Sequence, residues 1–345
     1  MAHPVPPEVL ACYAALKGRA ARPLSGGLIN QTFVVDGEAE KVVLQRLHPI
    51  FDGQVNEDID AITAHLATKG LVTPRLVRAD DGASFVEHDG RPWRVITFVE
   101  GRSFQRLESA AMARAAGALV ARFHKAALDL EHRYRFSRGN VHDTKKHVAV
   151  LDEALTRHVA HPLYDEVKAL AAPLLEDARA LPDLSHLPER HSHGDLKVSN
   201  LLFDDDGEGV CLVDLDTLSL MIWPFEMGDA LRSWCNPGGE DAGEVRFDLS
   251  FFAAAVSGYA SVARGTISRA ETGALVDGVR TICLELSARF LADALNESYF
   301  GWDEARFSSR GEHNLVRGRG QWALYESVTQ QQEDARALVD EAFGR

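Results

Sequence analysis

The sequence predicts an α+β protein in two lobes, a small β-rich one followed by a larger, mainly helical one. Three observations predict it. The first hundred residues hold short β-branched and aromatic runs separated by turn signals. A break follows at Glu100-Gly101-Arg102. Beyond it, Ala-rich stretches with helical periodicity dominate. The length of 345 residues suits two units of about 150 residues each. Residues 1–100 are assigned to a β-rich lobe with a hinge at about 98–102, and residues 103–345 to a helical lobe.

In the first lobe, Pro23–Ser25 reads as the tail of a first strand and Gln31–Val35 as a second. Asp36-Gly37 is a hairpin turn signal, because glycine tolerates positive φ, and Lys41–Leu47 returns as a third strand. Val55, Ile59, Ile62 and Leu66 recur at helical spacing, which predicts a helix from about Asn56 to Lys69 stopped by Gly70. Strands near Ser84–Glu87 and Trp93–Val99 close the lobe. The second lobe predicts helices over Ser109–Ala126, Leu163–Ala180, Phe247–Ala263, Ile267–Ala294 and about His313–Leu338, with Ser109 as an N-cap. Two short strands interrupt them, Leu201–Phe203 and Val210–Leu215. The cleft between such lobes is a common place for a ligand.

Composition narrows the function. The chain is 46% apolar and 26% charged, as soluble folded proteins are. Its 37 basic and 51 acidic side chains give a net charge of −14, which speaks against a nucleic-acid partner. No segment approaches the ~18 uninterrupted apolar residues of a membrane span, and the first residues lack a signal-peptide pattern. Cys12, Cys211, Cys235 and Cys283 are scattered, so disulfides and a cysteine zinc site are not expected and a cytoplasmic location is.

The stretch His191-Ser-His-Gly-Asp-Leu-Lys-Val-Ser-Asn200 carries the chemistry. It places His193, Asp195, Lys197 and Asn200 on one loop ahead of an apolar strand. Val213-Asp214-Leu215-Asp216 ends the next strand. A carboxylate beside a hydroxyl can act as base or orienter. An Asn amide oxygen and a carboxylate from adjacent loops can hold Mg²⁺, a hard cation that prefers oxygen. Phosphoryl transfer from ATP needs a positioned nucleophile and a metal that neutralises phosphate charge. Asp216 is open between binding a second ion and capping a turn.

His-Gly-Asp-Leu-Lys-x-x-Asn followed by a hydrophobic-Asp strand end resembles the catalytic loop and metal-binding acid of the aminoglycoside phosphotransferase and choline kinase group. The resemblance implies a two-lobed protein-kinase-like fold, with Asp195 as catalytic base, Asn200 and Asp214 as Mg²⁺ ligands, and His193 organising the loop. ATP is the implied phosphoryl donor, its adenine against the hinge near Phe98 and Glu100. Ser25-Gly26-Gly27-Leu28-Ile29-Asn30-Gln31-Thr32-Phe33 matches the Gly-Gly-x-x-Asn-x-x-aromatic pattern that this group shows at its phosphate-covering loop, so Gly26, Gly27 and Asn30 join the nucleotide site.

One departure stands out. The strand that supplies a lysine to the ATP phosphates in the kinase fold reads Val42-Val43-Leu44-Gln45-Arg46 here, with Gln45 at the lysine position. Neighbouring strand residues face opposite sides, so Arg46 reaches the cleft only if the register slips by one. Lys197 is the expected replacement cation. Glu57, on the following helix, is open between partnering Gln45 and lying on the helix surface.

Val141-His-Asp-Thr-Lys-Lys146, the segment from Phe225 to Asn236, and Gly311-Glu-His-Asn-Leu-Val-Arg317 narrow the resemblance to the N-acetylhexosamine 1-kinase branch, which phosphorylates the anomeric hydroxyl of free amino sugars. A sugar needs many donors and acceptors and an aromatic face. His142, Asp143, Asp216, Asp229, Arg232, Trp234, His313 and Arg317 are the candidate sugar contacts. Asp229 and Arg232 could equally form an ion pair along one helix, and His313 and Arg317 a solvated face. The rival acceptors are an aminoglycoside, choline, homoserine or another sugar. A catalytically inactive nucleotide-binding module is the rival from another class.

Overall fold

The computed structural model describes residues 5–24, 30–37, 40–136, 141–239 and 245–344. Gly26 and Gly27 lie outside them. The N-lobe strands are β1 (Ala21–Pro23), β2 (Gln31–Asp36), β3 (Lys41–Arg46), β4 (Leu76–Val77), β5 (Val86–His88) and β6 (Arg91–Thr97). They form one antiparallel sheet in the order β1-β2-β3-β6-β4, with β5 also on β6. Two helices belong to this lobe, α1 (Pro7–Ala11) and α2 (Val55–Thr68).

Alternation along β3 decides what reaches the cleft. Leu44 is buried in an apolar cluster with Val9, Leu10, Phe33 and Trp93, on the sheet face covered by α1. Gln45 therefore points the other way, toward α2 and the second lobe. Arg46 lies over the Trp93 ring at 5.9 Å. The expected register holds, and Arg46 does not replace the lysine.

β7 (Arg102–Ser103) follows the hinge and pairs with β9 (Leu201–Phe203), which pairs with β10 (Gly209–Leu212). β8 (Glu189–Ser192) pairs with β11 (Ser219–Ile222). The helices of the C-lobe are α3 (Ala110–Ala126), α4 (Thr144–Arg157), α5 (Tyr164–Ala180), α6 (Trp223–Trp234), α7 (Leu249–Ala263), α8 (Arg269–Gly273), α9 (Leu275–Asn296), α10 (Arg310–Gln330) and α11 (Gln332–Phe343). Ser109 caps α3 by accepting from the Met112 N–H. The last predicted helix is two helices divided at Gln331, and the helix predicted over 267–294 is α8 and α9. The strand expected over 210–215 ends at Leu212, because Asp214 turns left-handed.

The main core runs between the lobes. Val55, Ile59, Ile62 and Leu66 of α2 join a buried cluster with α3, α7 and α9 of the C-lobe. Each such side chain contributes roughly 1.5–3 kcal/mol by leaving water, so α2 is fixed to the C-lobe as well as to its own sheet. Asp58 adds to this by accepting from the Arg135 and Phe136 N–H groups at 2.9 Å and from His132 Nε2 at 2.8 Å. Helix α9 crosses α6 backbone to backbone, and a Cβ on Gly278 would lie 2.1 Å from the Pro224 carbonyl oxygen. The four cysteines are free. Among the described residues no helix is long and apolar enough to cross a membrane.

Candidate active site

Two turns meet at the cleft, residues 193–200 after β8 and residues 213–217 after β10. Gly194 adopts φ +79°, and a Cβ there would lie 2.5 Å from the Thr217 carbonyl oxygen. Only glycine permits both the conformation and the approach. The buried imidazole of His193 ties the turns together. Its Nε2–H donates to the Val213 carbonyl at 2.9 Å, and its Nδ1 accepts from the Asp195 N–H at 3.3 Å. Thr217 Oγ1 donates back to the His193 carbonyl at 2.8 Å. Asn200 Nδ2 donates to the Asp195 carbonyl at 2.9 Å, while Val213 N–H donates to the Asn200 carbonyl at 2.9 Å. Asp195, Asn200 and Asp214 thus share one frame.

Helix α6 holds that frame from behind. Glu226 accepts from the His193 N–H at 2.7 Å with one oxygen and from the Gly194 N–H at 3.0 Å with the other. Asp229 accepts from the Leu196 N–H at 3.1 Å, and Ser233 from the Val198 N–H at 3.3 Å. Trp234 Nε1–H donates to the Leu196 carbonyl at 2.8 Å. Glu226, Asp229, Ser233 and Trp234 recur at helical spacing, so a single face presents all four. This corrects one expectation and decides another between its two readings. Trp234 is 1% exposed and supports the loop, so its ring is not open to a sugar. Asp229 pairs with Arg232 at 2.8 Å and binds backbone, which is the ion-pair reading.

The charges converge at the front. Lys197 Nζ bonds Asp195 Oδ2 at 2.5 Å. Burial pulls the Lys197 ammonium down, but Asp195 and Asp214 more than offset this and its pKa is raised. The recessed position of Asp214 and the neighbouring carboxylates Asp216 and Asp195 push its carboxyl up to about 6, against the pull of Lys197. Burial opposes ionisation of Asp229, yet Arg232, His142 and Lys197 hold its carboxyl below the usual carboxylate range. Asp214 sits at φ 65°, a conformation short polar residues tolerate better than most. Crowded carboxylates beside an amide oxygen suit a hard cation. Among the described residues no three His, Cys, Asp or Glu side chains form a metal cluster. Asp214 and Asn200 would therefore hold Mg²⁺ with water and phosphate oxygens completing the shell, as Mg²⁺ sites commonly do.

The N-lobe side differs from expectation. Gln45 Oε1 accepts from Arg94 Nε at 2.8 Å and Nη2 at 2.6 Å, and Gln45 Nε2 donates to Thr32 at 3.2 Å. Arg94 stands opposite Gln45 in the β3–β6 register and is 1% exposed. Its Nη1 reaches Asn56 at 3.3 Å and pairs with Asp216. Asp216 is thus neither a free metal ligand nor open to substrate, because its second oxygen accepts from Asn30 Nδ2 at 2.5 Å. Asn30, expected at the nucleotide, bonds Asp216 and the His48 N–H instead. Glu57 does not partner Gln45. It lies beside Arg78 at 3.5 Å, one position round α2 from Asn56, which faces the cleft. At the hinge, Phe98 lies under Lys41 Nζ at 5.4 Å, and the exposed Glu100 pairs with Lys41 at 3.3 Å.

A polar wall forms where α4 and α9 meet. Buried Glu285 accepts from His142 Nδ1 at 2.9 Å and from Thr144 Oγ1 at 2.7 Å, with Arg289 at 3.9 Å. Among the described residues the buried Nε2 of His142 has no partner, and its ring meets Phe225 of α6 at 6.3 Å. Asp143 caps α4 by accepting from the Lys146 N–H at 3.1 Å. His313 and Arg317 are drawn elsewhere. His313 is 1% exposed, stacks on Phe307 at 4.0 Å and accepts from the Asp303 N–H, and Arg317 donates to the Gly301 carbonyl at 2.8 Å. Neither is the solvated face that their spacing allowed, and their bonds to residues 301–307 do not place them with Asp195.

A family model described as the phosphotransferase enzyme family matches residues 20–263. The chain belongs to this family. A homoserine kinase of Methylocella silvestris is 30% identical over 295 residues, covering 81% of this chain and 82% of that one. Two solved structures share the fold. An aminoglycoside phosphotransferase from Alicyclobacillus acidocaldarius superposes with a TM-score of 0.63 at 18% identity, covering 97% of this chain and 98% of its own. A choline kinase from Cryptosporidium parvum gives 0.61 at 12% identity, covering 98% of each chain. The protein is a small-molecule phosphotransferase with an alcohol acceptor and a kinase-like fold.

Within this phosphotransferase, sequence reading overlooked three working side chains. Arg94 is a lone charge in the apolar run Trp93-Arg-Val-Ile-Thr, on the cleft-facing phase of β6 opposite Gln45. Glu285 is likewise a lone acid within Ile282-Cys-Leu-Glu-Leu. Charges in such settings are seldom buried unless paired, and that was the available signal. Glu226 carried no comparable signal, because a helix-surface acid has the same appearance.

Proposed function

We propose that the protein transfers the γ-phosphoryl group of ATP, with Mg²⁺, to a hydroxyl of a small sugar, with the anomeric hydroxyl of an N-acetylhexosamine as the first candidate. The convergence of Asp195, Lys197, Asn200 and Asp214 on one point of the cleft carries the reading. Asp195 orients the acceptor hydroxyl and takes its proton as the acceptor oxygen bonds to phosphorus and the bond to the ADP oxygen breaks. Lys197 offsets the charge that grows on the transferring oxygens, where a fixed donor is most effective. Mg²⁺ on Asn200 and Asp214 would neutralise the phosphates. The adenine would rest at the hinge near Phe98, Glu100 and Gly101, with Gly26 and Gly27 over the phosphates.

The polar wall supports a sugar. His142, Thr144 and Glu285 supply donors and acceptors in alternation, and among the described residues His142 Nε2 has no partner. Homoserine is the second reading, favoured by the homoserine kinase relative and by acid–base pairs that would also suit an amino acid. ATP consumption against N-acetylhexosamines, hexoses, aminoglycosides, amino alcohols and homoserine tests both. Turnover on an N-acetylhexosamine with an anomeric phosphate as product supports the first reading. Turnover on homoserine with silence on sugars replaces it with the second.

A further inference from the structure

We propose that Arg94 is the positioning residue that holds the Asp214 turn in its metal-binding conformation, in place of the strand lysine that this chain lacks. The inference rests on the reading of Asp214 as a Mg²⁺ ligand.

Arg94 cannot act as a free phosphate hook. Its guanidinium makes four hydrogen bonds, two to Gln45, one to Asn56 and one to Asp216, and its side chain is 2% exposed. Gln45 and Asn56 flank it from β3 and α2, so the sheet and helix fix the direction in which the charge points. That direction is across the cleft. Asp216, 0% exposed, is its one charged partner among the described residues, and it belongs to the C-lobe turn that follows Asp214. The other Asp216 oxygen is held by Asn30, which is itself held by the His48 N–H at 2.9 Å. Both oxygens of a C-lobe carboxylate are therefore gripped by N-lobe residues.

Asp214 needs such a grip. It adopts φ 65° just before the single tight turn Leu215–Thr217, which carries Asp216 at its centre. Left-handed non-glycine backbone persists where its surroundings over-determine it. His193 fixes the residue before Asp214 and Arg94 fixes the residue after the next. A strand lysine would bring one flexible charge, whereas the planar guanidinium with Gln45 and Asn56 brings a charge and a fixed orientation. The arrangement also keeps the Asp216 carboxylate from turning toward the metal.

The test uses Arg94→Met/Asp216→Leu, which removes both charges and leaves no buried ion unpaired, together with Arg94→Lys. Calorimetric titration with Mg²⁺ and a non-hydrolysable ATP analogue should show the half-saturating Mg²⁺ concentration rising tenfold or more in the double variant. Affinity for the analogue without Mg²⁺ should stay within twofold. Hydrogen exchange across residues 213–217 of the metal-free protein should quicken, and Arg94→Lys should restore part of both effects. Unchanged Mg²⁺ affinity and unchanged exchange would make the pair a simple lobe contact and overturn the proposal. A tenfold loss of analogue affinity without Mg²⁺, at unchanged Mg²⁺ response, would make Arg94 a phosphate ligand and overturn it as well. Absence of Mg²⁺ binding in the wild type would sink the reading of Asp214, and exchange in the metal-free protein would still decide whether Arg94 holds the turn.

Discussion

The two lobes hold the reacting groups by different means. On the C-lobe side, α6 binds the 193–198 backbone through Glu226, Asp229, Ser233 and Trp234, all within about one helix length of chain. On the N-lobe side, one buried ion pair joins residues 122 positions apart in sequence. The first grip is spread over neutral and charged bonds to backbone, so losing one leaves the others. The second concentrates in a charge pair sealed from water, where removing one partner leaves an uncompensated ion. A kinase-like cleft can thus be rigid on one side by redundancy and on the other through one carboxylate, Asp216, gripped by Arg94 and Asn30.

The sharpest way to separate chemistry from both grips is Asp195→Asn. The change is nearly isosteric and touches neither the α6 bonds nor the Arg94 pair. Turnover should fall by roughly 10²–10⁴-fold, while melting temperature and binding of Mg²⁺ with an ATP analogue stay near wild type. Turnover within a few-fold of wild type would remove Asp195 from the reaction. Next in size, Lys197→Ala should lower kcat by about 10²-fold, the scale of losing one fixed electrostatic donor. A rise in KM for ATP at constant kcat would instead assign it to ground-state binding.

The redundancy of the C-lobe grip is tested by Glu226→Gln. It weakens two charge-assisted bonds and should destabilise the protein by roughly 1–3 kcal/mol, seen in denaturant titration, with kcat reduced less than in Lys197→Ala. Collapse of activity without loss of stability would show that the grip is not redundant. At the small end, Arg46→Ala should cost about 0.5–1 kcal/mol through its lost stacking on Trp93 and leave kcat unchanged. A crippled Arg46→Ala enzyme would mean that β3 is shifted by one residue.

Proton linkage gives an independent check on the metal side. The Asp214 carboxyl, ordinarily near 3.8, is pushed up to about 6 in the folded protein. Between these values the folded metal-free chain holds a proton that the unfolded chain has released. This contribution to stability is therefore present at low pH and falls as pH rises through the window. Mg²⁺ competes with that proton, so its affinity should rise over the same range. Thermal melts of wild type and Asp214→Asn from pH 4 to 7, with and without Mg²⁺, should show both trends in the wild type alone. Parallel curves for the two proteins would detach the effect from Asp214.

Legibility followed the same division. The 193–200 loop and the Asp214 turn were readable because their residue types sit close together and turn chemistry constrains each one. The β3 register was readable from alternation, with Leu44 inward to the α1 side and Gln45 to the cleft. The partners that depend on distant chain were not. Nothing local distinguishes Trp234 as a loop support from an aromatic ring open to a sugar. Asp216 stays open between an ion ligand and a turn cap until Arg94 and Asn30 are placed on its oxygens. Glu57 and Asn56 differ by one helical position, a 100° rotation that only packing resolves. Helix α4 was missed although Asp143 is its N-cap and Val148, Leu151, Ala154 and Leu155 form its apolar stripe, because its polar start, Thr144-Lys-Lys-His147, resembles a linker.

The crossing of α6 and α9 has a consequence for how variants of this protein would be interpreted. Gly278 touches no reacting group, yet even one methyl there would press on the Pro224 carbonyl and displace the helix that carries Glu226 and Asp229. In a mutational screen, alanine at this position would score among the active-site lesions. A residue with no side chain can thus pass for a functional residue, and a map of sensitive positions drawn by loss of activity alone would place the catalytic centre partly inside a helix crossing.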